Sequence, residues 1–427
     1  MEKASQLIGR ISHGALKELI PGLYGDPETH EKHKGRFIEL LERHITLFGD
    51  REDVRIFSVP GRTELSGNHT DHNHGHVLAA SVHLDTIAAV SPTPSYQAVL
   101  DSVGYQPVRV DLQDLEPQHE QRGTTDALVR GIAQQFSKNG IELSGFRANS
   151  SSEVFEGSGL SSSAAVEILI ASIFNNLYAD DRFGPVDLAQ FGKYAENVHF
   201  GKPSGLMDQI ACAIGGVASI DFIDPETPRI KNIQADFHAS GYTLCVVNTG
   251  GSHANLTDNY AAIPQEMYQC ARLFGQDTLR GIRLEQLVSQ ADRIRRQAGD
   301  RAFLRSYHFI SEDLRAQQMA KALTTKDIDW YLTLCRESGI SSSSFLQNLY
   351  PPVSPDQQGI PVAIALTEAF LKHTGACRVH GGGFAGTMQA YIPNELFTSY
   401  QQYMEQTFGK GSVTPLRIRQ TPAGRIL

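Results

Sequence analysis

Arg62, His69, Asp71, His72, His74 and His76 fall within fifteen positions of one another, in the stretch Pro60-Gly61-Arg62-Thr63-Glu64-Leu65-Ser66-Gly67-Asn68-His69-Thr70-Asp71-His72-Asn73-His74-Gly75 and the residue after it. So many polar groups between two apolar runs rarely serve packing alone. Two chemistries use such a set. One is a metal site, with His69, Asp71, His72, His74 and His76 as ligands. The other is polar recognition of a small hydroxylated molecule, with Asp71 accepting hydroxyl protons. A solvated turn carrying surface imidazoles is the plain alternative.

Three further segments carry chemistry. Glu156-Gly157-Ser158-Gly159-Leu160-Ser161-Ser162-Ser163-Ala164-Ala165 is a glycine-rich turn running into an apolar helical pattern. The first amides of such a helix have no intrahelical partner, and with the helix dipole they attract an anion. The three serines add hydroxyl donors or a metal ligand. No lysine precedes them, so this is not the Gly-Lys-Ser/Thr phosphate loop, and a serine-capped helix fits the stretch equally well. Asp208 follows Gly201-Lys202-Pro203-Ser204-Gly205-Leu206-Met207, where an aspartate serves as a helix cap or as a functional carboxylate. Gly381-Gly382-Gly383-Phe384-Ala385-Gly386 suits a binding turn, a bulge or a tight hairpin.

The elements that must hold these segments are legible in outline. Residues 1–48 read as helical, broken at Pro21-Gly22, with Phe37, Leu40, Leu41 and Ile45 at helical spacing. Residues 54–59 form a strand that Pro60-Gly61 stops, and residues 77–90 resume as β structure. A hairpin over 97–112 turns near Val103-Gly104. Helices are expected over 124–139, ending at Gly140, over 166–178 and over 188–198. Strands follow over 217–223, 242–248 and 387–392, and 257–375 is mostly helical. The stretch 224–240, with two prolines and mixed charge, is the candidate domain junction.

Bulk properties narrow the function classes. A chain of 427 residues exceeds one compact core and implies two domains. It is 41% hydrophobic and 20% charged, with a net charge of -9, which disfavours a nucleic-acid surface or an anionic membrane as partner. No apolar run reaches spanning length, and residues 1–18 lack an uninterrupted hydrophobic segment of the secretory kind. Five dispersed cysteines without a CxxC pair read as reduced core thiols of a cytoplasmic protein. No obligate protein partner is evident.

In order and distance, these motifs resemble the signatures of the GHMP small-molecule kinase superfamily, and within it the galactokinase family. Pro-Gly-Arg…His-Thr-Asp resembles the sugar-site signature, residues 157–164 the ATP loop, and residues 381–386 the third motif. Ala195-Glu196 and Gly205-Leu206-Met207-Asp208-Gln209 match with the same spacing between glutamate and aspartate. The likeness spans about residues 48 to 392. It implies an α+β, two-lobed GHMP kinase fold with the active site in the cleft between the lobes. Residues 1–230 would form the N-terminal lobe and residues 241–427 the C-terminal lobe. The implied reaction is ATP-dependent phosphorylation of the C1 hydroxyl of a hexose, α-D-galactose becoming galactose 1-phosphate.

The same resemblance implies the roles. Asp208 matches the catalytic aspartate and Arg62 its partner arginine. A carboxylate orients a poorly nucleophilic hydroxyl and accepts its proton, and a guanidinium keeps that carboxylate ionised. Ser163 and Glu196 match the Mg²⁺ ligands, while Gly157, Ser158, Gly159, Leu160, Ser161, Ser162 and Ser163 would cradle the ATP phosphates. Asn68, His69, Asp71, the backbone near Gly205 and Tyr260, seven residues after His253, would hold the sugar. Some positions depart from the pattern: asparagine at 68 where the family has glutamate, His72 and His74 around Asn73, Ser252 for arginine, and Ala385 and Thr387 in the third motif. These leave open a kinase for an amino sugar, pentose or other polyol. A catalytically silent sugar sensor is a further reading, although its usual damage to the serine loop is absent, and a zinc protein built on the histidines is another.

Overall fold

The computed structural model describes residues 2–154, 159–202, 204–251 and 256–427. Two β-sheets organise them. The strands are β1 (Arg55–Ser66), β2 (His76–Thr93), β3 (Gln97–Ser102), β4 (Val108–Asp111), β5 (Gly145–Ser152), β6 (Val217–Asp221), β7 (Arg229–Ile233), β8 (Tyr242–Asn248), β9 (Ala376–Val379), β10 (Thr387–Pro393), β11 (Val413–Leu416) and β12 (Gly424–Arg425). The first sheet runs β12-β1-β2-β5-β3-β4, with β6 beside β2 and β7 beside β6. Among the described residues only β3 and β5 pair in parallel. The second sheet is antiparallel, in the order β11-β8-β10-β9.

The long β2 is the spine of the first sheet. It pairs with β1 on one side, and on the other with β6 over residues 76–80 and with β5 over residues 86–93. Alternation along the strands sends side chains to opposite faces. Phe57, Ala88 and Val90 pack on the Thr125–Lys138 and Ser162–Tyr178 helices, whereas Ile56, Ile87 and Ala89 meet Leu7, Phe37 and Leu41 of the N-terminal helices. A third apolar cluster joins the sheets, with Leu65, Leu78 and Val217 against Leu244, Val246 and Tyr391. All five cysteines are buried with free thiols.

Two expected breaks fall elsewhere. β1 does not stop at Pro60-Gly61 but continues to Ser66, with register shifts between Pro60 and Arg62 and between Glu64 and Ser66. A bulge accommodates the missing proline N–H, so the strand bends instead of ending. Pro21 lies in the first turn of the short Ile20–Tyr24 helix, where that N–H has no partner to lose. β5, β7, β9, β11 and β12 carry no strong alternation and were not expected. The helix over residues 188–198 begins at Pro185 and passes at Ala195 into a π-helical turn, Ala195–Phe200.

Candidate active site

The extension of β1 past the bulge decides where the chemistry sits. It carries Arg62 and Glu64 into a cavity of about 290 Å³ whose lining also includes His69, Asp71, Ser163, Glu196, Asp208, Tyr260 and Gly382. Gly67, with φ +90°, ends the strand where a Cβ would meet the His76 carbonyl oxygen at 2.5 Å. His69 follows in the left-handed region (φ 59°), and a 3₁₀ turn, Asp71–Asn73, closes the loop.

Arg62 and Asp208, 146 positions apart, form a two-pronged ion pair. Nε donates to Oδ1 at 2.8 Å and Nη2 to Oδ2 at 2.9 Å. Arg62 Nη1 also donates to the Gly159 carbonyl, and the Arg62 amide donates to the Leu160 carbonyl at 2.9 Å. The glycine-serine loop is thereby stitched to β1. Ser161, itself left-handed at φ 57°, donates its hydroxyl to Asp208 Oδ2. Burial pushes the Asp208 carboxyl up, but Arg62, the Ser161 hydroxyl and Lys202 outweigh it and hold the group below the usual aspartate range. The carboxylate is still one-third exposed, at 33%. It is an ionised acceptor open to the cavity.

The remaining sugar-motif residues gather at the other end. A Cβ at Gly205 would lie 2.7 Å from Asp71 Oδ2, so that carboxylate rests directly over the Gly205 backbone. His69 Nε2–H donates to the Gly382 carbonyl at 3.0 Å, and burial lowers its imidazole to about 4, so the ring is neutral near pH 7. The Tyr260 ring lies 6.4 Å from that of His69 and its hydroxyl donates to the Gly383 carbonyl at 2.8 Å. The glycine-rich turn is thus one wall of the cavity.

Glu196 comes from the π-helical turn. Its Oε2 accepts from Gln209 Nε2 at 3.0 Å and its Oε1 from Lys202 Nζ at 3.0 Å. The same Gln209 amide donates to Glu167 Oε2 at 2.9 Å. Burial, then the neighbouring Glu196, raises Glu167 to about 8, so it is protonated at neutral pH. Ser163 is exposed on the first turn of the Ser162–Tyr178 helix, beside Ser162, while the Leu160 side chain belongs to the core. Gly157, Ser158, Ser252 and His253 lie outside the described residues.

Asn68 also lines the cavity, but its amide is engaged within the protein. It is fully buried; Nδ2 donates to Glu64 Oε1 at 3.0 Å and to the Gly381 carbonyl, and Oδ1 accepts from Asn348 Nδ2 at 2.7 Å. Its amide ties β1 to the glycine-rich turn and leaves no free donor. The histidines also diverge instead of converging. His76 sits between Asp313 at 2.9 Å and Asp221 at 3.4 Å, while His72 stands 3.7 Å from Asp71. Among the described residues no three His, Cys, Asp or Glu side chains gather as a metal site. Sequence reasoning assigned no role to Glu64, Lys202 or Gln209, although all three stand inside the quoted motifs. Once β1 is known to continue, the two-residue spacing from Arg62 to Glu64 is the signal that puts both on one face.

Residues 42–92 match the galactokinase galactose-binding signature, and residues 127–216 the GHMP kinases N terminal domain. A galactokinase of Streptomyces coelicolor is 29% identical over 379 residues, 88% of this chain and 94% of that protein. By these matches the chain resembles the galactokinase family of the GHMP kinases. Solved structures share the fold. The structure of Lactococcus lactis galactokinase complexed with galactose superposes with a TM-score of 0.75 at 22% identity, over 90% of this chain and 98% of that one. Methanococcus jannaschii mevalonate kinase gives 0.61 at 14% identity, over 86% and 99%. The segment matching the galactose-binding signature supplies Arg62, Glu64, His69 and Asp71, and the segment matching the GHMP domain supplies Ser161, Ser163, Glu196 and Asp208. No helix among the described residues is long and apolar enough to cross a membrane.

Proposed function

We propose that the chain is an ATP-dependent sugar-1-kinase that converts α-D-galactose to galactose 1-phosphate. The observation that carries this reading is Asp208, ionised by Arg62 and facing a cavity between the serine loop and the sugar motif. The C1 oxygen attacks the γ-phosphorus, the bond from that phosphorus to the β–γ bridging oxygen breaks, and ADP leaves. Asp208 orients the hydroxyl and takes its proton, while Arg62 offsets the charge developing nearby. His69, Asp71, the Gly205 backbone and Tyr260 hold the sugar, and the loop ending at Ser163 receives the phosphates at a helix start.

Glu196 already accepts the Lys202 ammonium at its cavity-facing end, so it suits a cation. With Ser163 it offers only a few hard oxygens, as Mg²⁺ takes when phosphates and water complete its shell. Bound Mg²⁺ would neutralise phosphate charge; Ser163 and Glu196 are the residues that would hold it. We further propose that residues 1–230 and 241–427 supply the two lobes around this cleft, with residues 417–425 of the second segment returning to the first sheet. The five buried thiols support a cytoplasmic location.

Release of ADP is the test, measured with galactose and a panel of hexoses, amino sugars and pentoses. A galactose optimum is expected, and no turnover on any of them overturns the kinase reading. The occupied amide of Asn68 favours, as a second reading, a kinase for another sugar, which the same panel would reveal as a shifted optimum.

A further inference from the structure

Glu64 is a carboxylate that the reaction just described does not use. It is 4% exposed and lines the cavity that holds Asp208. Its two oxygens have different surroundings. Oε1 accepts from Asn68 Nδ2 at 3.0 Å and from Arg378 Nη2 at 3.1 Å. No described residue donates to Oε2, and it is not among the fully buried polar atoms that lack a partner, so it opens onto the cavity. A carboxylate oxygen open to a cavity is satisfied by whatever donor fills that cavity. Burial pushes this group up, the Arg378 and Arg62 guanidinium groups pull it back, and it lies at about 7.

The position of the open oxygen is informative. Arg62 and Glu64 are two residues apart on a regular stretch of β1, paired with Ser81 and Ala79. Such residues project to the same face about 7 Å apart. Arg62 marks the end where the C1 hydroxyl meets Asp208. Glu64 is therefore offset from the reacting hydroxyl by about the width of a pyranose ring. A donor hydroxyl on the far side of that ring satisfies Oε2 in place of water, whereas an analogue that displaces the water but lacks the hydroxyl leaves it unpaired.

We propose that Glu64 is a specificity-determining residue of the sugar site, its Oε2 accepting a hydrogen bond from a hydroxyl on C3, C4 or C6 of the bound hexose. Arg378 and Asn68 hold the other oxygen and so fix the direction in which Oε2 points. The proposal rests on the sugar-kinase reading, and the experiment separates the two.

kcat/KM is measured for galactose and its 2-, 3-, 4- and 6-deoxy analogues, in the wild type, in Glu64→Gln and in Glu64→Asp. In the wild type, loss of one far-side hydroxyl should cost about 10- to 150-fold, the range for a hydrogen bond to a charged group. In Glu64→Gln that penalty should shrink to within about fivefold, chiefly through KM, while the 2-deoxy penalty stays as it was. Glu64→Asp, which keeps the charge next to Arg378, supplies the same reading if Glu64→Gln does not fold. Equal deoxy penalties in wild type and folded variant overturn the proposal. So does a galactose-bound crystal structure of the wild type in which no sugar oxygen lies within about 3.5 Å of Oε2. If the wild type fails to turn over every sugar, the kinase reading falls instead.

Discussion

The Arg62–Asp208 pair joins residues that no local pattern connects, and it sets a clear expectation for activity. Asp208→Ala should lower kcat by about 10²- to 10⁴-fold with little change in thermal melting, as loss of a proton acceptor does. Because Arg62 holds the Asp208 carboxyl below its usual range, the group stays ionised on both sides of neutrality, and the acid limb of the kcat profile attributable to it should lie below the ordinary aspartate range. Arg62→Gln removes the main stabilising charge and should move that limb upward; an unmoved limb would show that Asp208 does not govern it. Gly205→Ala tests the sugar end. Its Cβ would stand 2.7 Å from Asp71 Oδ2, so the carboxylate must shift, and KM for sugar should rise about tenfold or more with a smaller change in kcat. The types of these side chains were legible in the sequence, but their meeting was legible only through the resemblance. Asn68 shows the limit of that route: its amide is occupied by Glu64, Gly381 and Asn348, contacts made across 4, 313 and 280 positions.

At the scale of elements, β1 and the Asp300–Thr324 helix are locked by one buried carboxylate. Glu312 Oε1 accepts from the Ser66 hydroxyl at 3.1 Å, the Gly67 amide at 3.1 Å and the Ser338 hydroxyl at 2.6 Å, and Oε2 from Arg315. Burial pushes Glu312 up, yet Arg315, His308 and Arg378 dominate and bring it to about 2, against 4.5 for the ordinary group. A carboxyl whose folded value is depressed contributes stability that is fully present above the unfolded value and is lost as pH falls toward the folded one. Denaturant melts should therefore show stability falling between pH 4.5 and 2, by roughly 3 kcal/mol from this group. Glu312→Gln should melt lower at pH 7 and show a flatter acid limb; an unchanged limb would assign the acid sensitivity elsewhere. None of this lock was readable from one dimension, because Ser66, Glu312 and Ser338 are ordinary residues of a strand end and two helices. The helices and the long strands were readable, since their apolar spacing is set by the core they face. The bulge that keeps β1 going past Pro60 was not. A proline reads as a stop unless the partner strand is known, and β2 tolerates the shift.

Across the whole molecule, the chain does not divide cleanly in sequence between its two sheets. After β11 it returns to the first sheet, where β12 pairs with Phe57 and Ser58 of β1 and Ile418 bridges to Val82. Arg419 on that return is fully buried. It donates to the Ser58 hydroxyl at 2.6 Å and carbonyl at 3.1 Å, and stands 3.6 Å from the buried Asp85, which also accepts from Arg36 at 2.8 Å and Tyr24 at 2.9 Å. Arg419→Met should destabilise the fold by about 3 kcal/mol or more, since it strands part of a buried charge network far from the cavity. Its kcat at low temperature should match the wild type, and a large kcat loss would refute a purely structural role. The return of residues 417–425 also has a meaning in time. During synthesis, the first sheet cannot finish its β1 edge, nor Asp85 receive its second guanidinium, until the ribosome has released residues some 190 positions beyond β7. Until then the nascent sheet keeps an open strand edge, the kind that pairs with the wrong neighbour. Expression of residues 1–230 alone should give a fragment dependent on holdase chaperones, and adding residues 412–427 as a peptide should release it.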